Sequence, residues 1–262
     1  MTVIVLAAGT GTRLGALTAE KPKTMLEFAG RPLIEHQLAA FRRAGVERIV
    51  IIGGYRDEQL PAEGVVRYRN PRFAETNMVE TLMAAREELR GDVLITYGDV
   101  IFEDRVLEQM LASTADIGVA VDMDWRAYWQ ARFGNLETDV ETLEMGPAGA
   151  ITRIGQPDPT PEQLHARYVG MIRLSPTGAD TVARVYDETR AARLGGPWQT
   201  SKSFEKGYMT DLLQELVDRG HRVEGIRIAR GWLEFDTVDD VARAEEWAAT
   251  GALREFCAIG ER

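Results

Sequence analysis

Short apolar runs alternate with amphipathic segments along the first half of the chain. Five apolar runs are typical of buried strands and lie at Val3–Leu6, Arg48–Ile52, Val65–Arg69, Asp92–Thr96 and Ile117–Val121. Apolar residues at helical spacing predict intervening helices at Pro32–Ala44, Met78–Leu89 and Val106–Ala112. Strands that alternate with helices predict an α/β fold with three layers, in which helices cover both faces of a mainly parallel, Rossmann-like sheet.

The pattern changes between Leu136 and Leu174. Short apolar stretches there are interrupted by two turn clusters, Gly146-Pro147 and Pro157-Asp158-Pro159, and no long helix is predicted. We expect a small antiparallel extension over this segment. Further on, the pattern predicts helices and one strand at Thr177–Arg193, Glu205–Arg219, Arg222–Ile228 (the strand) and Val238–Thr250.

Composition narrows the possible function. The chain has 262 residues, of which 45% are hydrophobic and 27% charged, and its net charge of −10 argues against non-specific nucleic-acid binding. The single cysteine, Cys257, excludes an internal disulfide and suits a reducing compartment. No apolar run approaches the roughly 18 residues of a membrane span. We therefore expect a cytoplasmic protein with neither nucleic-acid nor membrane partners.

The residues after the first predicted strand have the character of an anion-binding loop. The chain reads Leu6-Ala7-Ala8-Gly9-Thr10-Gly11-Thr12-Arg13, and two further cations follow at Lys21 and Lys23. Glycine allows a sharp turn and lets a ligand approach backbone N–H groups, which together can bind an anion. The loop and its cations therefore predict a site for a nucleotide triphosphate.

Spacing separates this loop from two other nucleotide-binding loops. No Gly-x-x-x-x-Gly-Lys string followed by Ser or Thr occurs, so the loop is not a Walker A motif. In a dinucleotide-binding fingerprint a third glycine would replace Leu14, but Gly15 comes one position late. The second predicted strand also lacks the acidic residue that such a fold places at its end.

The remaining pattern, Leu-Ala-Ala-Gly-x-Gly-x-Arg-Leu followed by Lys-Pro-Lys, resembles the signature of the sugar-phosphate nucleotidyltransferases, or pyrophosphorylases. Five later segments resemble the branch that contains choline-phosphate and phosphonate cytidylyltransferases; they are Val50–Tyr55, Asn77–Thr81, the spaced residues Asp122, Trp125 and Arg132, Tyr168–Met171 and Trp232–Asp236. One departure is Thr76-Asn77, where that branch often has two asparagines. The resemblance implies the three-layer nucleotidyltransferase fold and Mg²⁺-dependent transfer of a nucleotidyl group, with release of pyrophosphate. CTP as donor and a small phosphate or phosphonate as acceptor are the substrates expected for this branch.

The resemblance also implies roles for particular residues. Arg13 would contact the β- and γ-phosphates, and Lys23 would bridge the α-phosphate and the incoming oxygen. Asp99 follows the predicted strand Asp92–Thr96 and Asp236 ends the apolar run Trp232–Phe235, and the resemblance implies that these two carboxylates together hold Mg²⁺. The full set expected around the nucleotide is Leu6, Ala7, Ala8, Gly9, Thr10, Gly11, Thr12, Arg13, Lys23, Tyr55, Asn77, Thr81 and Gly98. Capping of the following helix is the alternative interpretation for Asp99, Asp236 and Asn77.

The acceptor side is less clearly indicated. Aromatic residues at Trp125, Tyr128 and Trp129 could form a cage for a quaternary ammonium group, with Asp122 or Asp124 as its carboxylate, or could pack in the core. The cationic residues Arg132, Lys202 and Lys206 could instead bind an anionic acceptor, or could simply be solvated. The acceptor-binding candidates are Asp122, Asp124, Trp125, Arg132, Tyr168, Lys206 and Tyr208.

We expect one domain over residues 1–262, with a nucleotide-binding half at about 1–122 and an acceptor-binding half at about 123–262. Two alternatives remain open. One is a hexose-1-phosphate nucleotidyltransferase that uses UTP, dTTP or GTP. The other is a non-catalytic regulatory relative, which we would expect to lack one of the residues Arg13, Lys23, Asp99 and Asp236; all four are present.

Overall fold

The computed structural model describes residues 1–259 and contains a central seven-stranded sheet. The strands of the described residues are β1 (Thr2–Ala7), β2 (Glu27–Phe28), β3 (Arg31–Pro32), β4 (Arg48–Gly53), β5 (Val66–Arg69), β6 (Val93–Tyr97), β7 (Val100–Phe102), β8 (Ile117–Asp122), β9 (Leu143–Met145), β10 (Ile151–Ile154), β11 (Arg167–Leu174), β12 (Glu224–Ile228) and β13 (Trp232–Glu234). The α-helices are α1 (Leu33–Arg43), α2 (Met78–Met83), α3 (Asp104–Ala112), α4 (Trp125–Phe133), α5 (Pro176–Arg193), α6 (Met209–Asp218) and α7 (Val238–Thr250).

Six of the seven strands in the central sheet run parallel. The spatial order is β12-β8-β11-β6-β1-β4-β5, and only β11 is antiparallel to its neighbours β6 and β8. All six residues of β1 are buried, as expected for a strand with helices over both faces of its sheet. Val3 and Val5 point into one hydrophobic core, and Ile4 and Leu6 point into the core on the opposite face.

The structure confirms the predicted α/β class and the five strands of the first half. The helix predicted at Met78–Leu89 is shorter, because α2 ends at Met83 and a separate 3₁₀ turn follows at Arg86–Glu88. The helix predicted at Glu205–Arg219 is also divided: a 3₁₀ turn at Phe204–Lys206 precedes α6. Helix α4 was not predicted from the sequence.

The segment from Leu136 to Leu174 only partly matches the expected extension. Strands β9 and β10 do form a separate antiparallel pair. The expectation is wrong for β11, which lies inside the central sheet between β6 and β8. Its last six residues, Val169–Leu174, are all buried, so it has the apolar character of a central strand. A strand's own hydrophobicity does not identify its pairing partners, which is why the sequence pattern misplaced β11.

A small second ladder positions residues from the far end of the chain. Strand β13 pairs antiparallel with β7, which follows β6 after only two residues. The N–H of Phe235 donates to the carbonyl of Asp99 at 3.1 Å. This pairing brings Asp236 to the carboxyl edge of the central sheet, beside the end of β6.

No helix among residues 1–259 is long and apolar enough to cross a membrane.

Close packing of α5 against the loop before β8 leads to a stability prediction. A Cβ at Gly178 would lie 1.8 Å from the carbonyl oxygen of Asp116, a contact that requires backbone movement. We expect Gly178→Ala to lower the free energy of unfolding by about 1–3 kcal/mol, as overpacking typically does, although alanine favours helix. Guanidinium denaturation would measure this. Gly196→Ala is the matched control, because its Cβ would make only an ordinary 3.4 Å contact with the carbonyl of Arg193. Equal stability of the two variants would contradict the prediction.

Candidate active site

A cavity of about 270 Å³ lies at the carboxyl ends of β1 and β6. Parallel α/β sheets commonly bind ligands at this edge. The cavity is lined by Leu6, Ala7, Ala8, Gly9, Gly11, Thr12, Arg13, Lys23, Thr24, Phe73, Thr76, Asn77, Met78, Thr81, Tyr97, Gly98, Asp99 and Asp236. The structure therefore brings together most of the residues predicted to contact a nucleotide. Thr10 and Tyr55 do not line the cavity, and the hydroxyl of Tyr55 donates instead to the carbonyl of Ala19.

The glycine-rich loop combines a tight turn with open space. Gly11 has a φ of +63°, and a Cβ there would lie 3.1 Å from the Cβ of Lys23. The Thr18 hydroxyl donates to the carbonyl of Gly11 at 2.9 Å and holds the turn. At Gly9, by contrast, a Cβ would meet nothing within 4 Å. The loop is therefore packed at Gly11, whereas at Gly9 a ligand has room to approach the backbone.

The loop after β6 approaches the end of β1 closely. The N–H of Gly98 donates to the carbonyl of Leu6 at 3.0 Å. A Cβ at Gly98 would lie 3.1 Å from that carbonyl oxygen and 3.2 Å from the Thr24 hydroxyl. A larger residue would separate the two loops, so glycine at this position keeps Asp99 next to the cavity.

Charged side chains from three parts of the chain meet at this point. The Lys23 amine donates to the carboxylates of both Asp99 and Asp236. Arg13 forms an ion pair with Asp236 at 3.0 Å. Burial lowers the pKa of Lys23, but the two carboxylates outweigh that effect and the net shift is upward, so the amine stays protonated. Burial raises the pKa of Asp236, but the positive charges of Lys23, Arg13 and Arg132 have the larger effect. The net shift of the pKa is downward, so the carboxyl stays ionised.

Helix capping does not occupy the two aspartates. Helix α7 is capped by the Thr237 hydroxyl, which accepts from the N–H of Asp240 at 3.2 Å. Helix α3 begins with Glu103 at its N-cap position, four residues after Asp99. One oxygen of Asp99, Oδ1, is buried without a hydrogen-bond partner. Both carboxylates therefore line the cavity without serving as helix caps, and their partners there are the cations Lys23 and Arg13.

Arg132 lies behind these carboxylates. Its side chain is 2% exposed, and its Nε and Nη2 atoms donate to both oxygens of Asp240 at 2.7 and 2.9 Å. Its Nη1 donates to Glu234 at 2.6 Å. Asp240 in turn accepts from the backbone N–H of Asp236 at 3.0 Å. Arg132, predicted as an acceptor-binding residue, is instead used within a buried network that supports Asp236.

An acidic cluster near Asp236 has the composition of a metal site. Asp139, Glu234 and Asp236 each present an oxygen, and these atoms lie within 4.8 Å of one another. Hard divalent cations prefer such carboxylate ligands, and the unpartnered oxygen of Asp99 is nearby on the same edge. Burial and the charge of Asp236 raise the pKa of Glu234, and the neighbouring Arg132 offsets this shift only in part. The residues present therefore fit a divalent metal ion.

Sequence reasoning missed Glu234 and Asp139. A usable signal existed for Glu234, since it lies two positions before Asp236 and alternate residues of an extended segment share a side. Asp139 lies in a loop with no pattern that predicts its position. Thr24, Thr76 and Tyr97 also line the cavity and were not predicted, although each adjoins a residue that was.

Trp125, Tyr128 and Trp129 do not form the aromatic cage that was one of the two alternatives for them. Trp125 is 1% exposed and Trp129 fully buried, so their rings belong to the core. Asp122 is fully buried and accepts hydrogen bonds from the N–H of Arg230 and the indole of Trp232, each at 2.9 Å. Asp124 pairs with Arg230 at 2.8 Å. Core packing thus describes the two tryptophans, and both aspartates already have protein partners, so the structure corrects the expected grouping.

The base-side candidates lie where α2 begins. Asn77 occupies the N-cap position, but its side-chain amide donates to the carbonyl of Lys206 at 3.2 Å and makes no capping bond. The Thr81 hydroxyl donates to the carbonyl of Asn77 at 3.1 Å and accepts from the Asn70 amide at 3.0 Å. The exposed Lys206 amine lies 3.5 Å from the carbonyl of Ala74. These contacts tie the start of α2 to the loop before α6.

A second cavity of about 250 Å³ lies near the first. It is lined by Asp139, Val140, Glu141, Gly155, Pro157, Arg167, Thr200, Tyr208 and Thr210. Burial raises the pKa of Glu141, and Arg167 partly offsets this shift. Tyr168, which directly follows Arg167, donates through its hydroxyl to that of Tyr97 at 3.2 Å, and Tyr97 lines the first cavity.

The fold and the charged edge of the sheet are those of a nucleotidyltransferase. The chain belongs to the MobA-like NTP transferase domain family, whose pattern matches residues 3–157. It is 29% identical over 253 residues to the CTP:phosphoglutamine cytidylyltransferase of Campylobacter jejuni, which covers 92% of this chain and 98% of that protein. It is also 29% identical over 251 residues to the 2-aminoethylphosphonate cytidylyltransferase of Lancefieldella rimae, covering 91% and 89%. The solved CTP:phosphocholine cytidylyltransferase of Streptococcus pneumoniae has the same fold, with a TM-score of 0.72, 21% identity and coverage of 94% and 98%.

The buried network around Arg132 leads to a prediction on stability. Arg132→Met keeps much of the side-chain volume but leaves the carboxylates of Asp240 and Glu234 without their cation. We expect a loss of about 3–5 kcal/mol in the free energy of unfolding, because one partner of a buried ion pair is removed. Denaturation of the purified variant would measure it. Arg86→Met is the matched control: its ion pair with Asp187 is exposed, so its loss should cost less than about 1 kcal/mol. Similar losses in both variants would contradict the prediction.

Proposed function

We propose that this protein transfers CMP from CTP to a small phosphate or phosphonate acceptor, in a Mg²⁺-dependent reaction that releases pyrophosphate. The observation that carries the proposal is the convergence of Arg13, Lys23, Asp99 and Asp236 at one end of the cavity. Cations and carboxylates at a glycine-rich loop suit a metal-bound triphosphate. The names of the two full-length relatives support CTP as the donor.

The reaction is an in-line displacement. An oxygen of the acceptor's phosphate or phosphonate attacks the α-phosphorus of CTP, a new P–O bond forms, and the bond to the bridging oxygen of the β-phosphate breaks. The nucleophile is already an anion, so no general base is required. Catalysis then depends on positioning and on neutralising charge at the transferred and leaving groups.

The roles that the family resemblance implies for the charged residues are compatible with their places at the cavity. Lys23 would contact the α-phosphate and the attacking oxygen, and the half-exposed Arg13 would contact the β- and γ-phosphates. Asp99 and Asp236 would hold Mg²⁺, which supplies positive charge to the phosphate oxygens when bound. Asn77, Thr81 and the loop from Leu6 to Thr12 would surround the nucleoside and phosphates. In this proposal residues of about 1–122 bind the nucleotide, and those of about 123–262 bind the acceptor.

A matrix of donors and acceptors tests the proposal. We expect pyrophosphate release with CTP and at least one small acceptor, from phosphocholine, 2-aminoethylphosphonate and phosphorylated amino-acid derivatives. EDTA should abolish the release and Mg²⁺ should restore it, because the carboxylate cluster needs a cation to hold the triphosphate. UTP, dTTP, ATP and GTP are the donor controls. Pyrophosphate release only with a hexose 1-phosphate would indicate a hexose-1-phosphate nucleotidyltransferase. No release with any donor and acceptor would favour a non-catalytic regulatory protein.

A single substitution tests the role of Lys23. Lys23→Met should lower kcat on the order of 10²- to 10³-fold, as loss of one electrostatic stabiliser of the transition state typically does. Steady-state pyrophosphate release with CTP would measure the change. Lys202→Met is the matched control, because Lys202 is exposed and outside the cavity. Near-normal turnover of Lys23→Met would rule out the assignment.

A further inference from the structure

The second cavity contains two opposite charges that the proposed chemistry does not use. Glu141 and Arg167 both line it, yet they form no ion pair with each other. The Glu141 carboxylate makes no hydrogen bond or ion pair within residues 1–259. The Nη1 atom of Arg167 is buried and has no hydrogen-bond partner in the same part of the chain. A half-buried carboxylate and a buried guanidinium nitrogen without partners are costly unless a ligand pairs with them.

Arg167 is held firmly in place despite this unpartnered nitrogen. Its Nη2 donates to the backbone carbonyl of Asp139. Its guanidinium carbon lies 4.3 Å from the ring centroid of Trp129, so the charged plane packs on the buried indole. The side chain is therefore pre-organised, and an arginine fork of this kind suits a planar carboxylate.

The second cavity adjoins the proposed metal site. Asp139 lines the second cavity, Asp236 lines the first, and their carboxylate oxygens lie within 4.8 Å of each other. A molecule with its phosphate or phosphonate at the metal could therefore extend its other end into the second cavity.

We infer that the second cavity binds the distal end of the acceptor and that this end is an α-amino acid group, with its carboxylate on Arg167 and its ammonium on Glu141. This inference rests on the proposed function, since it names the acceptor class for the same site. The hydroxyls of Thr200 and Tyr208 line the same cavity; that of Thr200 donates to Asp211 at 2.7 Å, so its oxygen can still accept a hydrogen bond from the ammonium group. A zwitterion satisfies both charges at once, whereas a purely cationic acceptor leaves Arg167 without its anion.

Three matched phosphonates test the inference by calorimetry on the full chain. The probes are 2-amino-4-phosphonobutanoate, its decarboxylated analogue 3-aminopropylphosphonate and its deaminated analogue 4-phosphonobutanoate. We expect the first to bind at least about 10-fold more tightly than either analogue, because each charged hydrogen bond contributes that much or more. Equal affinities for the three probes, or no binding of any of them, would overturn the inference.

Two variants assign the contacts. Glu141→Gln should bind 2-amino-4-phosphonobutanoate and 4-phosphonobutanoate about equally, because it no longer recognises the ammonium group. Arg167→Met should bind 2-amino-4-phosphonobutanoate and 3-aminopropylphosphonate about equally, because it no longer recognises the carboxylate. Equal weakening of all three probes in either variant would indicate a structural role and overturn the assignment. Glu108→Gln, at an exposed position of α3, is the control that should keep the full preference.

Pyrophosphate release separates failure of this inference from failure of the proposed function. If pyrophosphate is released from CTP with another acceptor but the three probes bind equally, this inference is overturned and the proposed function stands. Selective binding of 2-amino-4-phosphonobutanoate without pyrophosphate release from any nucleotide would support the subsite and contradict the proposed reaction. Variants with selective effects on acceptor KM and unchanged KM for CTP would support both.

Discussion

The site depends on cations that allow several carboxylates to lie together at one edge of the sheet. Asp99, Asp236 and Asp240 come from two distant parts of the chain, and their mutual repulsion would separate them without compensation. Lys23 contacts the first two, and Arg132 holds Asp240 through two hydrogen bonds. The glycine-rich loop, the end of β6 and the start of α7 meet through these ionic contacts.

Arg132 and Lys23 differ in burial, and this difference assigns them different roles: Arg132 holds the backbone in place, whereas Lys23 can contact a ligand. Arg132 is almost fully buried, and its planar fork is fully used by carboxylates, so it fixes the backbone that carries Asp236. Lys23 lies at the cavity wall with its amine on two carboxylates that could also hold a metal ion. A lysine in this position balances the acidic pair and is within reach of an anionic ligand.

The acidic cluster of Asp139, Glu234 and Asp236 lies between two adjoining cavities. On one side are the glycine-rich loop and the start of α2, which have the open backbone and polar side chains suited to a nucleotide. On the other side are Glu141 and Arg167, whose charges point to a different, zwitterionic ligand. Asp139 and Asp236 lie between the two cavities, so chemistry between a nucleotide and a small acceptor would occur at their boundary.

Local features of the sequence were sufficient to predict the α/β fold class, the parallel strands of the first half and the loop from Leu6 to Lys23. Apolar runs and glycine spacing act over a few residues, and short-range sterics determine their outcome. The sequence alone did not place β11 inside the sheet or Trp125 in the core, because pairing and burial depend on partners far along the chain. It also did not reveal that Asp139 lies beside Asp236, or that Glu141 and Arg167 line one cavity, since no spacing encodes such proximity. The tertiary structure decided these positions through strand order and the pairing of β13 with β7, which bring distant loops to one edge of the sheet.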